Sequence, residues 1–424
     1  MKKRKHICLA LALLFVLPLL AACGGGTPTP GGTPGETPNE TSSAPTVSID
    51  NLSNKVLKNI TIIPCGNLLF TSQWSTIYRY NTATGTFHKA CADPECDGDC
   101  PLESGQCYPL QVVDGKLYFW TEMTRQQVLG IRPTYLGSQD LVTGEVKILL
   151  EATNIQPPGG PEFVYDGMMY YLRTMLKLDV DPNDTMAVMY PDNYDVHICR
   201  IPITGGKEEV LRLAPDELLF AVADGYYLTR SAVDRCVFSY DRDFKEQTVF
   251  FDFKALGLRC ASDVQYLNGT AYFSARRDGD DYNGFYSLDL ATKELKLLVD
   301  KRISICRVTE DAIYYNLKES RYMYKPEGWD EMTDEQKEEN PPKILKCSAE
   351  LYACDLDGQN ERVVYTDATR DYTEDYTVVD GVLYGWIYDF DENSHKWKDR
   401  YFGSIDFATG EVTNIFQWTS SRKK

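Results

Sequence analysis

The phrase VVDGKLYFW at residues 112–120 returns almost unchanged as VVDGVLYGW at residues 378–386, with seven of nine letters in agreement. Each copy places Asp-Gly between two apolar runs. This is the strongest short-range signal of a β-hairpin, because a type I′ turn needs positive φ at both central residues. Weaker copies begin at Cys65, Val164, Ala223, Leu267 and Thr309. The chain is therefore built from repeated strand–turn–strand units.

A second phrase follows each first one, and its clearest copies begin at Asp140, Asp289 and Asp406. Seven first hairpins alternating with seven second hairpins predict seven units of four antiparallel strands, the pattern of propeller blades. Strands such as Leu117–Trp120 are apolar on both faces, as expected of a sheet held between two others. We predict an all-β fold, a seven-bladed β-propeller over residues 55–419. Six or eight blades are the alternative counts, and a β-sandwich or two stacked β domains the alternative folds.

The N-terminus has the features of a targeting segment. A basic stretch at 2–5 precedes an apolar stretch at 7–20, and Leu20-Ala21-Ala22-Cys23 follows. This order resembles the signal and lipobox of bacterial lipoproteins, a family that lipidates the cysteine and cleaves just before it. The resemblance implies a signal peptide over residues 1–22 and an extracytoplasmic protein anchored to the bacterial membrane through lipid at Cys23. An ordinary secretory signal is the alternative.

The residues after the anchor predict a tether. Of the 23 residues in 24–46, 19 are Gly, Pro, Thr or Ser, a composition that cannot bury enough apolar surface to fold. We predict a disordered linker from Cys23 to residue 50, and a short basic tail over residues 420–424.

Two repeat families resemble this chain. Leu117-Tyr-Phe-Trp-Thr-Glu122 looks like the YWTD repeat of lipoprotein-receptor-type propellers, and the Asp-x-x-Thr-Gly phrases look like the repeats of PQQ-like propellers. Quinoprotein repeats carry a Trp shortly after Thr-Gly, and this chain departs from that pattern. Those places hold Phe87, Val146, Leu295 and Val412. The resemblance thus implies an architecture, but neither a quinone cofactor nor an activity.

The long connections are predicted to share one face of the disc. In an up-and-down blade, the A–B and C–D turns lie on one face and the B–C and D–A connections on the other. The long segments are Thr121–Pro133, Leu172–Asp195, Arg276–Gly284, Asn316–Lys346, Ile387–Arg400 and the D–A connection from Cys91 to Gln111. Loops on a rigid scaffold commonly carry function, so we place the working surface there. In the largest segment, Thr333 and Gln336 have the spacing of a capping box, which predicts a short helix.

Four cysteines, Cys91, Cys96, Cys100 and Cys107, lie within 17 residues. Because exported proteins meet an oxidising environment, two local disulfides are the favoured interpretation. A metal site is the second, although the spacing lacks the Cys-x-x-Cys pairs of common zinc sites. Free thiols are the third. The cysteines in strand-like runs are expected to be small buried apolar groups.

Acidic loops are the other candidate metal ligands. Asp-x-Asp-x-Asn patterns occur twice, and a looser relative occurs once. The candidates are Asp179, Asp181, Asn183, Asp278, Asp280, Asp389, Asp391 and Asn393. Oxygen ligands at alternating positions suit calcium, although the first pattern lacks the Gly and Glu of an EF-hand loop. Solvated turn residues are the alternative, and no other cofactor is expected.

The charge and the motifs limit the function. A net charge of −18 and a pI of about 4.8 argue against nucleic-acid binding. The sequence has none of the Gly-x-Ser-x-Gly, His-Glu-x-x-His or phosphate-loop motifs. We therefore predict a non-catalytic binding module or scaffold for an unknown protein or glycan. The alternatives are a surface hydrolase using carboxylates near the central channel, and an envelope-assembly scaffold.

Overall fold

The structure is a computed structural model. It describes residues 52–58, 62–73, 76–91, 100–103, 106–122, 133–153, 162–181, 184, 193–214, 216–260, 263–317, 321–324, 327–340, 343–347, 349–367, 369–371, 375–391 and 396–417. These residues form seven antiparallel sheets in chain order, each with at least four strands, and one extra hairpin. The predicted seven-bladed β-propeller is confirmed. No helix in the described part of the chain is long and apolar enough to span a membrane.

Within each blade the four main strands, A to D, follow one another along the chain, and A is the innermost. Strand β1 (Leu57–Lys58) precedes the blades and pairs with the A strand of blade 5. Blade 1 consists of β2 (Ile62–Cys65), β3 (Leu68–Gln73), β4 (Thr76–Asn81) and β5 (Thr86–Lys89), blade 2 of β6 (Gln106–Val113), β7 (Lys116–Glu122), β8 (Pro133–Asp140) and β9 (Val146–Thr153), and blade 3 of β10 (Phe163–Tyr165), β11 (Met168–Leu176), β12 (Tyr194–Pro202) and β13 (Glu209–Leu213). Blade 4 consists of β14 (Glu217–Ala223), β15 (Tyr226–Ser231), β16 (Cys236–Tyr240) and β17 (Gln247–Asp252), and blade 5 of β18 (Leu258–Cys260) and β19 (Gln265–Leu267), which share the A position, followed by β20 (Thr270–Arg277), β21 (Gly284–Asp289) and β22 (Leu295–Val299). Blade 6 consists of β23 (Ile303–Val308), β24 (Ala312–Leu317), β27 (Ala349–Asp355) and β28 (Arg362–Asp367), and blade 7 of β29 (Arg370–Asp371) and β30 (Tyr376–Val379), which share the A position, followed by β31 (Val382–Asp391), β32 (Lys396–Asp406) and β33 (Val412–Gln417).

The first repeated phrase forms the A–B turn. In blades 2, 3, 4, 5 and 7 both central residues have positive φ, for example 48° at Asp114 and 71° at Gly115. This is the type I′ geometry that Asp-Gly and Asn-Gly predict. Blade 6 has a different A–B turn, in which Thr309 Oγ1 donates a hydrogen bond to the carbonyl oxygen of Ala312 at 3.0 Å.

The second repeated phrase forms the C–D turn, and its aspartate supports the backbone. Asp289 Oδ1 accepts the N–H groups of Ala291 and Thr292 at 3.0 and 2.7 Å. Asp140 and Asp406 make the same pair of bonds in blades 2 and 7. These backbone donors hold the pKa of the Asp289 carboxyl below its usual range. The Asp-x-x-Thr-Gly phrase is thus a turn-forming device.

Each blade buries both faces against its neighbours. Along β7, Leu117 and Phe119 pack in a cluster with blade 1, whereas Tyr118 and Trp120 pack in a cluster with blade 3. All four are at most 1% exposed. A blade that packs between two others needs no polar face, which explains why its strands are apolar on both sides.

The ring closes by packing between blades 7 and 1. The four main strands of both terminal blades are contiguous in the chain, so neither blade borrows a strand from the other. The seam is instead filled by aromatic rings. Phe87 lies 4.8 Å from Phe416 and 5.4 Å from Phe402, and Tyr80 lies 5.7 Å from Tyr384, measured between ring centroids. Such contacts add to the free energy of burial.

The largest insertion has its own secondary structure. Between β24 and β27 it forms the hairpin of β25 (Arg321–Tyr324) and β26 (Lys343–Cys347), a 3-10 turn (Trp329–Glu331) and helix α1 (Asp334–Glu339). The predicted capping box is confirmed, because Thr333 Oγ1 accepts from Gln336 N–H at 3.3 Å and Gln336 Oε1 accepts from Thr333 N–H at 2.9 Å.

Candidate functional site

The strand ends that the long connections join lie on one face of the propeller, as predicted. The A–B turns are two-residue connections in six blades, for example 66–67 and 380–381, and the C–D turns span at most six residues. The B–C connections reach from Leu176 to Tyr194 in blade 3 and from Leu317 to Ala349 in blade 6. We call the side with the B–C and D–A connections the loop face, and the other side the turn face.

One predicted loop is mostly strand. In blade 7, β31 and β32 extend through the expected insertion Ile387–Arg400 and leave only residues 392–395 between them. Asp389 and Asp391 therefore lie within β31, in register with Asp399 and Lys396. The interpretation of this stretch as a loop was wrong, because charged residues in an extended hairpin resemble loop composition.

On the turn face, residues 52–58 enter the central channel, and we call them the channel segment. Asn54 holds the A strand of blade 2, since its Oδ1 accepts Val112 N–H at 2.6 Å and its own N–H donates to Val112 O at 3.0 Å. A few residues later, Leu57 pairs with Tyr266 in blade 5. The segment thus bridges two blades that are not neighbours.

A cavity of about 320 Å³ remains beside the channel segment. Its walls are residues 53–56 and the A–B turns of blades 1, 6 and 7. Lys55 forms an ion pair with Glu310 at its rim, between two exposed side chains. Exposed pairs of this kind contribute little to stability, so the backbone and side-chain hydrogen bonds of Asn54 to Val112 hold the segment in place. This arrangement could not be predicted, because these residues follow directly on the predicted tether.

Polar side chains also connect neighbouring A strands around the channel. Gln265 Oε1 accepts Val308 N–H at 2.8 Å, and Gln265 Nε2 donates to Cys306 O at 3.0 Å. The side-chain amide thereby imitates a backbone group of a paired strand. In the same way, Gln111 Oε1 of blade 2 accepts a hydrogen bond from Val164 N–H of blade 3 at 2.9 Å.

Glu162 lies at the loop-face end of blade 3, one residue before its A strand. The residue as a whole is half-buried, and desolvation of its carboxyl raises the pKa to about 8. Such a carboxyl carries a proton at neutral pH. Perturbed groups of this kind cluster at functional sites, but they also occur for structural reasons.

The cysteine cluster is only partly described, and Cys96 lies outside the described residues. The sulfur atoms of Cys91 and Cys100 and a carboxylate oxygen of Glu103 all lie within 4.8 Å of one another. Cys107 is buried, with its sulfur 2.9 Å from Thr121 Oγ1. Sequence inspection missed Glu103, although its place three residues after Cys100 puts both on one side of a turn.

Five cysteines in strand-like runs are predicted to be buried. Cys199, Cys236, Cys306 and Cys354 are buried, and the side chain of Cys260 lies outside the described residues. Burial raises the pKa of the Cys199 thiol to about 12 and that of Cys354 to about 11. These thiols are protonated at neutral pH and pack as apolar groups.

Among the described residues, the acidic candidates are not drawn together into a group that could hold a metal ion. Asp278 is bound by two guanidinium groups, Arg235 at 2.8 Å and Arg259 at 3.1 Å, and the hydrogen bond from Arg235 lowers its pKa. Asp389 lies 3.2 Å from Arg370 Nε. Asp179, Asp181 and Asp280 are exposed. Asn183, Asn393 and the side chain of Asp391 lie outside what is described, so calcium binding stays a prediction.

The remaining predicted segments also lie outside the described residues: the signal peptide at 1–22, Cys23, the linker to residue 50 and the tail at 420–424.

Comparisons with known proteins support the fold. No protein-family model matches this sequence, and no curated protein matches it significantly. The chain is similar to Pyrococcus horikoshii acylaminoacyl peptidase, with a TM-score of 0.50 and 10% identity over 88% of this chain and 53% of the peptidase. It thus spans about half the length of that protein.

Two further solved structures are similar. For oligogalacturonate lyase from Vibrio parahaemolyticus the TM-score is 0.48, with 11% identity over 82% of this chain and 93% of the lyase. For the β-propeller domain of the Trilobed protease from Pyrococcus furiosus it is 0.44, with 12% identity over 86% of this chain and 99% of that domain. At such identities the likeness concerns the fold alone.

Proposed function

We propose that this protein is a bacterial lipoprotein, anchored through Cys23 outside the cytoplasm, whose propeller binds a protein or a glycan of the cell envelope on its loop face. The observation that carries the proposal is the difference between the two faces. The turn face has short turns and a channel partly filled by residues 52–58. The loop face has all the long connections.

The entry point of the chain supports this orientation. The channel segment is the continuation of the predicted tether, and it joins the ring on the turn face. The loop face is therefore not the face on which the tether joins the ring. Because a flexible linker of this length spans roughly 25–30 Å, a partner can reach the loop face. Kinship with YWTD/PQQ-like propellers belongs to the same proposal, supported by the Asp-Gly and Asp-x-x-Thr-Gly turns.

The insertion of blade 6 is the best place to test binding. Helix α1 is capped, and Trp329 is held beside it by Lys337, whose Nζ lies 5.1 Å from the ring centroid. An ordered insertion loses less conformational entropy on binding than a flexible one. We expect replacement of residues 318–348 by a short Gly-Ser linker to weaken binding.

The experiment uses the anchored protein in vesicles and isolated cell-envelope fragments, with a glycan array as a second probe. The control variant Lys55→Ala changes the turn face only. Binding that is lost with the insertion and kept in Lys55→Ala supports the proposal. Equal binding by both variants contradicts it. Release of new reducing ends from the glycans would instead support the surface hydrolase, with Glu162 as the first carboxyl to replace.

A further inference from the structure

We propose that Cys91, Cys100 and Glu103 form a binding site for a divalent transition-metal ion, with zinc as the best match. Their ligand atoms lie within 4.8 Å of one another, close enough to converge on one ion after small side-chain rotations. Zinc accepts thiolate and carboxylate ligands together, usually in a tetrahedral arrangement. The three side chains supply three corners of a tetrahedron. The proposal is independent of the function of the loop face.

Glu103 provides the second observation. Its carboxylate is only 4% exposed, which is rare for a glutamate without compensating partners. Oε2 accepts from Lys89 Nζ at 2.6 Å, whereas Oε1 is buried and has no hydrogen-bond partner among the described residues. A buried carboxylate oxygen left in this state is destabilising. A metal ion at the cluster would supply the missing partner.

The charges also balance. Two thiolates and one carboxylate carry three negative charges, and a divalent ion with the Lys89 ammonium carries three positive ones. Without the ion, deprotonated sulfurs beside a buried carboxylate would repel one another. Lys89 then acts as a positioning residue, since it orients the carboxylate without touching the metal.

The backbone holds the ligands before any ion arrives. Ile77 in blade 1 anchors both sides of the site, because its N–H donates to Leu102 O at 3.0 Å and its carbonyl accepts from Ala90 N–H at 2.8 Å. Glu103 N–H donates to Cys100 O at 3.0 Å, which closes the turn between these two ligands. Leu102 between them is fully buried. A site fixed in this way loses little entropy on binding.

A disulfide between Cys91 and Cys100 accounts for less of the geometry. It would use both sulfur atoms, but it would leave Oε1 of Glu103 buried and unsatisfied. It also gives no reason for a carboxylate to be buried beside the pair. The position of Glu103 therefore favours the metal over the disulfide, which the sequence alone favoured.

The test uses the full chain, purified in detergent without oxygen and assayed for zinc by mass spectrometry. We expect stoichiometric zinc, and thiolate-to-cobalt charge-transfer absorption after exchange with cobalt(II). Cys91→Ser and Cys100→Ser should lose the metal. Glu103→Gln should bind it more weakly, and Lys89→Met about 10–100-fold more weakly. Cys236→Ser, which removes a buried thiol in blade 4, should bind as the wild type does.

The folding of each variant is checked by its melting curve, and Lys89→Met keeps the proposal testable if the cysteine variants do not fold. A Cys91–Cys100 disulfide in peptide mapping of this anaerobic preparation would overturn the proposal. So would failure of the reduced wild-type chain to take up zinc or cobalt, or undiminished binding by folded Cys91→Ser and Cys100→Ser.

Discussion

At the scale of single residues, the ring depends on a few polar side chains in an apolar setting. Gln111, Gln265 and Arg307 occupy the same place in the A strands of blades 2, 5 and 6, since each is paired with a tyrosine of the B strand. Arg307 Nε donates to Tyr376 O in blade 7 at 3.1 Å. Each of the three connects its blade to the next one. Buried polar groups that are fully bonded fix one arrangement of the core.

We expect Gln265→Met to lower the free energy of unfolding by about 2–3 kcal/mol, because it removes two buried hydrogen bonds at nearly constant volume. Urea denaturation followed by circular dichroism measures this change. Gln247→Met, at an exposed site in blade 4, is the matched control and should be nearly neutral. Equal effects of the two substitutions would contradict the role of Gln265.

The raised pKa of Glu162 predicts how the stability of the protein depends on pH. Its pKa is about 8 in the folded protein, above the ordinary 4.5, so the folded state keeps a proton that the unfolded state loses in this window. The stability of the wild type should therefore fall as pH rises from about 4.5 to 8. Glu162→Gln removes this dependence. Its melting temperature should rise relative to the wild type between pH 5 and pH 9, and a constant difference would show that the carboxyl is not buried in solution.

At the scale of elements, the turns show how far the sequence predicts the structure. Asp-Gly and Asn-Gly specify type I′ turns through local backbone preference, so the hairpins could be predicted at each clear copy. The channel segment could not, because Asn54 is held to the ring through Val112, a residue 58 positions away. The burial of Glu103 likewise depends on Lys89 and on the packing of Leu102, which no local pattern encodes.

Two turn glycines allow the cost of a strained backbone to be distinguished from the cost of a steric clash with a neighbouring blade. Gly269 has φ of +78° with open space around it, so Gly269→Ala should cost only the left-handed conformation, about 1–2 kcal/mol. Gly358 has φ of +85°, and an added Cβ would lie 2.9 Å from Leu298 O in the neighbouring blade. We expect Gly358→Ala to destabilise the protein more than Gly269→Ala does in urea denaturation. The reverse order would mean that blades 5 and 6 are not packed as described.

At the scale of the whole molecule, each blade buries both faces, so the ring should fold as one unit. Deleting blade 7 from Asp375 onward would expose the apolar faces of blades 1 and 6. We expect this truncation to abolish cooperative unfolding, as measured by denaturation followed at two wavelengths. A truncated chain that melts as sharply as the intact one would show that the blades are separate folding units.

The predicted anchor is tested in cells. Cys23→Ala should move the protein out of the membrane fraction, because a lipid anchor contributes about 0.8 kcal/mol per buried CH₂ group. Fractionation and immunoblotting after a high-salt wash measure the change, and Cys65→Ala is the control in a buried position. A Cys23→Ala protein that remains with the membranes would contradict the lipoprotein proposal.

The channel segment determines how the molecule responds to mechanical force. A pull on the chain before residue 52 is borne first by the bonds of Leu52 and Asn54 to blade 2 and by the pairing of Leu57 with Tyr266 in blade 5. The load is shared across the channel and bypasses the aromatic seam between blades 7 and 1. Under tension, the attachment would therefore yield by releasing these few bonds before the ring itself opened.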